Sequence, residues 1–237
     1  MGPEGAVRPP AYQTLAEDIR AEITSGRLRP GERLPTEPQL CVRSGVSRST
    51  VREALRLLSS QHLIVTTRGV TGGSFVAHPS PEVLSDTLTT GLNLLINTST
   101  AGLRDLLEVR ESLEVPAAAQ AARRRGAEHL ADLEAALFDP ERTDVPGMLA
   151  AHRAFHTALV AATRNPLFEL LSRPLYQVSN ERDVAAGAPA GFWRQVDADH
   201  REILRFVKAR DADGATKVAR EHISFIRTAL APQDAPR

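Results

Sequence analysis

Apolar residues in the first part of the chain recur at helical spacing in three closely spaced segments. Leu15, Ile19 and Ile23 repeat every four residues and predict a helix that stops near Ser25-Gly26. A turn-rich connector, Leu28–Leu34, surrounds Pro30-Gly31. Thr36 stands three residues before Gln39, a capping-box spacing, and Pro38 is tolerable in the first turn of a short second helix that ends at Ser44-Gly45. Ser47 is placed to cap a third helix whose inward stripe is Val51, Ala54, Leu55 and Leu58. The period then shortens to that of a strand. Leu63–Thr67 and Ser74–Ala77 flank Arg68-Gly69-Val70-Thr71-Gly72-Gly73, a hairpin pattern. Three helices, the last two joined by a glycine-containing turn, followed by a hairpin, predict a winged helix-turn-helix over residues 11–78.

Beyond His78-Pro79-Ser80-Pro81 the period is helical again and no further strand is expected. Residues 79–101 read as a linker and connecting helix, with Val83–Ile96 rich in threonine. Leu103–Arg125 predicts a long helix that Pro116 should kink or interrupt. Val145–Thr163, Pro166–Arg182, Arg194–Arg210 and Ala212–Leu230 predict four more, with Asn165-Pro166 as a cap followed by proline at the first helical position. Asp183–Gly191, rich in Ala, Gly and Pro, reads as a mobile loop. The fold class is therefore mostly α: a winged helix-turn-helix followed by an all-α bundle over residues 102–232. Residues 1–10 and 233–237 read as tails.

Composition narrows the classes. The 237 residues are enough for two small cores. A single cysteine, Cys41, excludes an internal disulfide framework, and it sits where a small core residue is expected. No run of about 18 apolar residues suggests a membrane span, and the Pro/Gly-rich start lacks a signal peptide's apolar core, so a cytoplasmic protein is expected. The net charge is zero, but it is unevenly divided. The first 78 residues carry 10 arginines against seven acids, and the rest carry 19 basic and 22 acidic residues. That asymmetry permits a nucleic-acid contact in the first part without establishing one.

Two sets of residues carry candidate chemistry. Arg48, Arg52 and Arg56 line a flank of the third helix, with Ser47, Ser49 and Thr50 at its start. Arginine can donate bidentately to guanine, while hydroxyls and helix-terminal amides hold phosphates. An arginine-rich face alone is only solvated surface; the order helix, helix, helix, wing turns the reading toward DNA. The second set is four histidines on apolar stripes. His152 and His156 alternate with Met148, Phe155 and Leu159; His200 falls among Val196, Ile203, Leu204 and Val207; His222 falls among Ala215, Val218, Phe225 and Ile226. A lone histidine on such a stripe is more often a hydrogen-bonded core residue. Four on three helices point more sharply to a shared metal, since neutral imidazole suits zinc, nickel and related ions. His62, His78 and His129 fall at helix ends or in linkers, and Trp193 reads as a packing anchor.

The run Gly26-Arg27-Leu28, Pro30-Gly31-Glu32-Arg33-Leu34-Pro35-Thr36-Glu37 and Gly45-Val46-Ser47-Arg48-Ser49-Thr50-Val51-Arg52-Glu53-Ala54-Leu55 closely resembles the GntR family of bacterial regulators. The resemblance implies that Arg48 and Arg52 read or clamp operator DNA, assisted by Ser47, Ser49, Thr50 and the wing at Arg68-Gly69. Pro38 stands where that family usually has arginine, so one DNA contact is expected to be missing. Residues 103–228 resemble the ligand-sensing FCD domain of the FadR-like subgroup, through Leu106-Leu107-Glu108-Val109-Arg110, Leu113-Glu114, Arg153-Ala154-Phe155-His156, Asn165-Pro166, Asp199-His200 and Glu221-His222.

In metal-containing members three histidines and an aspartate surround the ion. His156, His200 and His222 match the histidines, and His152 replaces the aspartate. Four neutral ligands leave a divalent ion at +2 rather than +1, which favours an anionic effector. The resemblance makes Arg110 a clamp for an effector carboxylate; its position on an apolar stripe equally allows an ion pair with Glu114 or snorkelling. The function expected is a homodimeric, ligand-responsive regulator, a repressor, that binds double-stranded operator DNA and senses a small carboxylate at a metal-centred cavity. The alternatives are the same regulator with a metal-free pocket, or a metalloenzyme with a DNA-binding appendage. Against the enzyme stand the absence of a His-Glu-x-x-His motif and the expectation that no further inward acid lies near the histidines.

Overall fold

The computed structural model describes residues 9–69, 72–78, 80–180 and 188–230. Residues 1–8, 70–71, 79, 181–187 and 231–237 lie outside the described residues, among them the end of the expected helix Pro166–Arg182 and most of the expected loop Asp183–Gly191. The chain divides into two compact units, Met1–Ser80 and Pro81–Arg237.

The first unit is a winged helix-turn-helix. Helices α1 (Ala11–Thr24), α2 (Glu37–Ser44) and α3 (Arg48–Ser60) precede strands β1 (Ile64–Thr67) and β2 (Gly73–Val76). The capping box of α2 is formed, with the Thr36 amide donating to Gln39 Oε1 at 2.8 Å. Gly45 ends that helix in the left-handed region (φ 66°), where a side chain would be strained, and lets the chain turn into α3. The Thr50 amide donates to Ser47 Oγ, capping α3 as the sequence predicts. Leu15, Ile19, Leu40, Val51, Leu58, Ile64 and Val76 close one apolar core. The strands pair antiparallel with Ile64 opposite Val76 and Thr67 opposite Gly73. The connector Leu28–Leu34 does more than turn. Gly31 and Leu34 amides donate to Val76 and Ser74 carbonyls, and the Val76 amide donates to Glu32, so the connector lines the free side of β2.

Among its described residues the second unit is wholly helical: α4 (Pro81–Asn97), α5 (Leu103–Arg124), α6 (Ala127–Ala135), α7 (Val145–Ala161), α8 (Pro166–Asn180), α9 (Phe192–Ala209) and α10 (Ala212–Leu230). The Thr-rich segment is helical, as α4. Pro116 does not interrupt α5, which runs unbroken through it. A helix-interior proline costs about 3 kcal/mol; the burial of Val115, Ala117, Ala118, Ala121 and Ala122 on either side of it offsets that cost. Helix α6 is an addition to the sequence reading, which left His129 at a helix end or in a linker. It is short, with Leu133 its one fully buried residue, so no stripe announces it.

Helix α5 packs against α7, α8, α9 and α10. Two of the bundle's apolar clusters flank the histidines. One joins Ala118, Ala121, Phe155, Leu159, Ile203, Leu204, Ala215 and Val218; the other joins Leu107, Met148, Val196 and Ile226. On each of α7, α9 and α10 the helix passes from one cluster to the other, and the histidines lie at the crossing. No described helix is long and apolar enough to cross a membrane.

Candidate metal centre

His152 and His156 come from successive turns of α7, His200 from α9 and His222 from α10. All four are buried, and one ring nitrogen from each lies within 4.8 Å of the others. Ring centroids are 4.5 Å apart for His152 and His156, and 5.1 Å apart for His200 and His222. Metal–nitrogen bonds of about 2.0–2.1 Å place ligand atoms roughly 3.4–4.2 Å apart around one ion, so little adjustment closes this set. Phe155 stacks on His200 at 4.0 Å, and Trp193 packs beside His152 at 6.4 Å, as an anchor in the wall.

The carboxylates beside two of the rings argue for the same use. Glu114 Oε2 lies 2.8 Å from His156 Nδ1, and Asp199 Oδ2 lies 3.0 Å from His222 Nδ1. Each carboxylate lies beside Nδ1 of its ring, the placement by which carboxylates orient metal-ligating imidazoles. Both nitrogens of His156, His222 Nε2, His152 Nδ1 and both nitrogens of His200 are buried with no aligned hydrogen-bond partner among the described residues, the Glu114 approach to His156 being a charge contact. Unsatisfied buried polar atoms are costly, and a histidine kept only for packing normally satisfies them. Burial lowers His156 to about 4 against the opposing pull of Glu114. Burial and the neighbouring imidazoles hold His152 and His200 well below the usual range. These rings are thus neutral near pH 7, the form that binds metal. The residues present fit a divalent ion.

Arg110 and Glu114 stand one turn apart on α5, both buried, with Arg110 Nε donating to Glu114 Oε1 at 2.5 Å. Burial raises the Glu114 pKa, but Arg110 and His156 outweigh it and keep the carboxylate ionised. Arg110 therefore makes the ion pair that its spacing allowed, and its Nη2 is buried without a hydrogen-bond partner among the described residues. Glu114 corrects the expectation that no further inward acid lies near the histidines. Periodicity missed it because α5 is buried around much of its circumference, and its alanines mark no narrow stripe. Glu114 accepts from Arg110 with one oxygen, and its other oxygen lies 2.8 Å from His156 Nδ1 in a charge contact. Asp199 was legible only as part of a motif; its role needs α9 and α10 side by side.

In the first unit Ser47, Arg48, Ser49 and Arg52 are exposed along α3, and Thr50 is half-buried. Arg52 Nε donates to Glu37 of α2 at 3.0 Å, and Arg56 pairs with Glu53. Ser47 Oγ is 2.8 Å from the hydroxyls of Ser49 and Thr50. Arg68 and Gly69 are exposed where β1 ends. Arg33, which sequence reasoning left unassigned, donates to the Gly72 carbonyl at 2.5 Å and braces the hairpin from the connector. Cys41 is partly buried against the core.

A winged helix-turn-helix joined to a helical unit with a buried polar centre is the architecture of a ligand-responsive transcriptional regulator. Comparison with known proteins identifies which kind. Residues 11–76 match the family described as "Bacterial regulatory proteins, gntR family", and residues 105–225 match the FCD domain. The chain is 31% identical over 224 residues to the "Putative L-lactate dehydrogenase operon regulatory protein" of Escherichia coli K12, covering 91% of this chain and 84% of that protein. It is 28% identical over 238 residues to the Glc operon transcriptional activator of the same organism, covering 94% and 90%. The solved structure of Streptococcus agalactiae GntR shares the fold, with a TM-score of 0.58 at 22% identity over 92% of this chain and 99% of that one. The chain belongs to the GntR family of DNA-binding transcriptional regulators and carries an FCD domain.

Proposed function

We propose that this regulator senses a small carboxylate at a divalent metal, zinc by the ligand chemistry, held by His152, His156, His200 and His222. The convergence of four buried imidazoles, each with at least one buried nitrogen that lacks a hydrogen-bond partner among the described residues, carries the reading. A bound ion supplies a Lewis-acidic position for a carboxylate oxygen. Glu114 and Asp199 orient His156 and His222, the apolar clusters on either side exclude water, and the spare Nη2 of Arg110 donates to the carboxylate. The protein works in the cytoplasm as a homodimer, one recognition helix per half-site of a pseudo-palindromic operator. Arg48 and Arg52 contact bases or phosphates, Ser47, Ser49 and Thr50 hold the backbone, and Arg68-Gly69 of the wing approaches it. Effector binding shifts the population of dimer geometries and releases DNA, as in a repressor. The relative named for an L-lactate dehydrogenase operon makes L-lactate the first effector to try.

The test is metal analysis of purified protein together with operator release by L-lactate, acetate and citrate in metal-loaded and chelator-treated samples. About one ion per chain is expected, with the response lost on stripping and in His156→Ala. Full metal stoichiometry in His156→Ala, or an undiminished response without metal, overturns the proposal.

A further inference from the structure

A cavity of about 560 Å³ lies outside the histidine cluster, between α4, α7 and α8. That is within the usual range for a small-molecule site. Arg153 of α7 and Arg173 of α8 line it, and neither guanidinium makes an ion pair or hydrogen bond with another described residue. Ser85 of α4 lines it as well. Its side chain is 1% exposed, and its Oγ has no hydrogen-bond partner among the described residues. A buried hydroxyl in that state asks for a ligand partner. Glu82 and Glu169 also line the cavity, adding acceptors to the two guanidinium donors. Tyr176 forms the wall toward the metal centre. Its ring centroid is 5.5 Å from that of His156, and the Arg110 guanidinium sits 5.3 Å over it.

We propose that this cleft is a separate binding site for a small hydroxycarboxylate. Arg153 and Arg173 take the carboxylate, for which the guanidinium fork is matched. Glu82, Glu169 and Ser85 take ligand hydroxyls, which a bare inorganic anion cannot offer in the same number. The two arginines alone fit any anion; the acceptors beside them and the buried hydroxyl select one that also donates. The site needs no metal, so it stands or falls apart from the reading of the histidine centre.

The experiment is calorimetric titration of L-tartrate into the full-length protein after chelator treatment, with inorganic phosphate as a parallel probe. Saturable tartrate binding is expected, weakened about tenfold or more in the Arg153→Ala/Arg173→Ala variant, as for loss of charge-assisted hydrogen bonds. That variant should keep wild-type helicity and wild-type zinc content. Arg173→Gln, at an exposed position, repeats the measurement with minimal risk to folding. Three results overturn the site: no tartrate binding to metal-free protein, binding undiminished in both variants, or phosphate binding as tightly as tartrate. Failure of the metal reading shows separately, as missing zinc with tartrate binding intact.

Discussion

Asp199 and Glu114 place a carboxylate beside Nδ1 of His222 and of His156, and they differ in how far each can be tested in isolation. Glu114 is locked to Arg110, so its removal strands a buried guanidinium, which is strongly destabilising in general. Asp199 is partly exposed, with 13% of its side-chain surface accessible, and bonds only at the edge of the site. Asp199→Asn is therefore expected to lower zinc affinity about 10- to 100-fold while leaving the urea midpoint of the chelator-treated protein nearly unchanged. Competition with a chromophoric chelator measures the first and circular dichroism the second; unaltered affinity would show that Asp199 does not orient His222. At this scale the four histidines were legible because each interrupts an apolar stripe. Their carboxylate partners were not, since Asp199 reaches His222 across 23 positions of sequence.

Helix boundaries followed caps and periodicity closely. Ser47 and Thr36 begin α3 and α2 where their hydroxyls predicted, because capping is decided within four residues. Pro116 and α6 went the other way, since both depend on what packs around them. The recognition helix gives the clearest prediction at this scale. Arg52 is largely exposed and its pair with Glu37 is a surface contact, worth less than about 1 kcal/mol. Arg52→Ala should thus leave thermal stability almost unaltered yet weaken operator binding by about 1–3 kcal/mol. Fluorescence anisotropy with labelled operator DNA at several salt concentrations tests this. Wild-type affinity and salt slope would remove Arg52 from the interface.

For the whole molecule, the histidine centre links stability to pH. In chelator-treated protein, burial holds His156 near 4 and His152 and His200 well below their unfolded value near 6.5. Between about pH 6.5 and 4 the unfolded chain binds more protons than the folded one, so stability rises with pH through that window. Full stability is present above the unfolded pKa and is lost as pH falls toward the folded one. His156 alone accounts for a loss on the order of 3 kcal/mol by pH 4. Urea unfolding of the metal-free protein at pH 7 and pH 5 should show a clear decrease at the lower value. Equal midpoints would mean that the rings are not held neutral.

The sequence by itself determined the two-part architecture, the caps, the hairpin and the inward placement of four imidazoles. Each of these follows from periodicity or from interactions within a turn or two of helix. Only the tertiary structure decided that the histidines meet in one place, at the crossing of two apolar clusters, with Glu114 and Asp199 behind them. It also decided that Leu28–Leu34 lines β2, that α5 continues through Pro116, and that Arg153 and Arg173 share a cleft with Ser85. These outcomes depend on which helices become neighbours. Local spacing specifies the face that a residue occupies but not the partner that the face will meet.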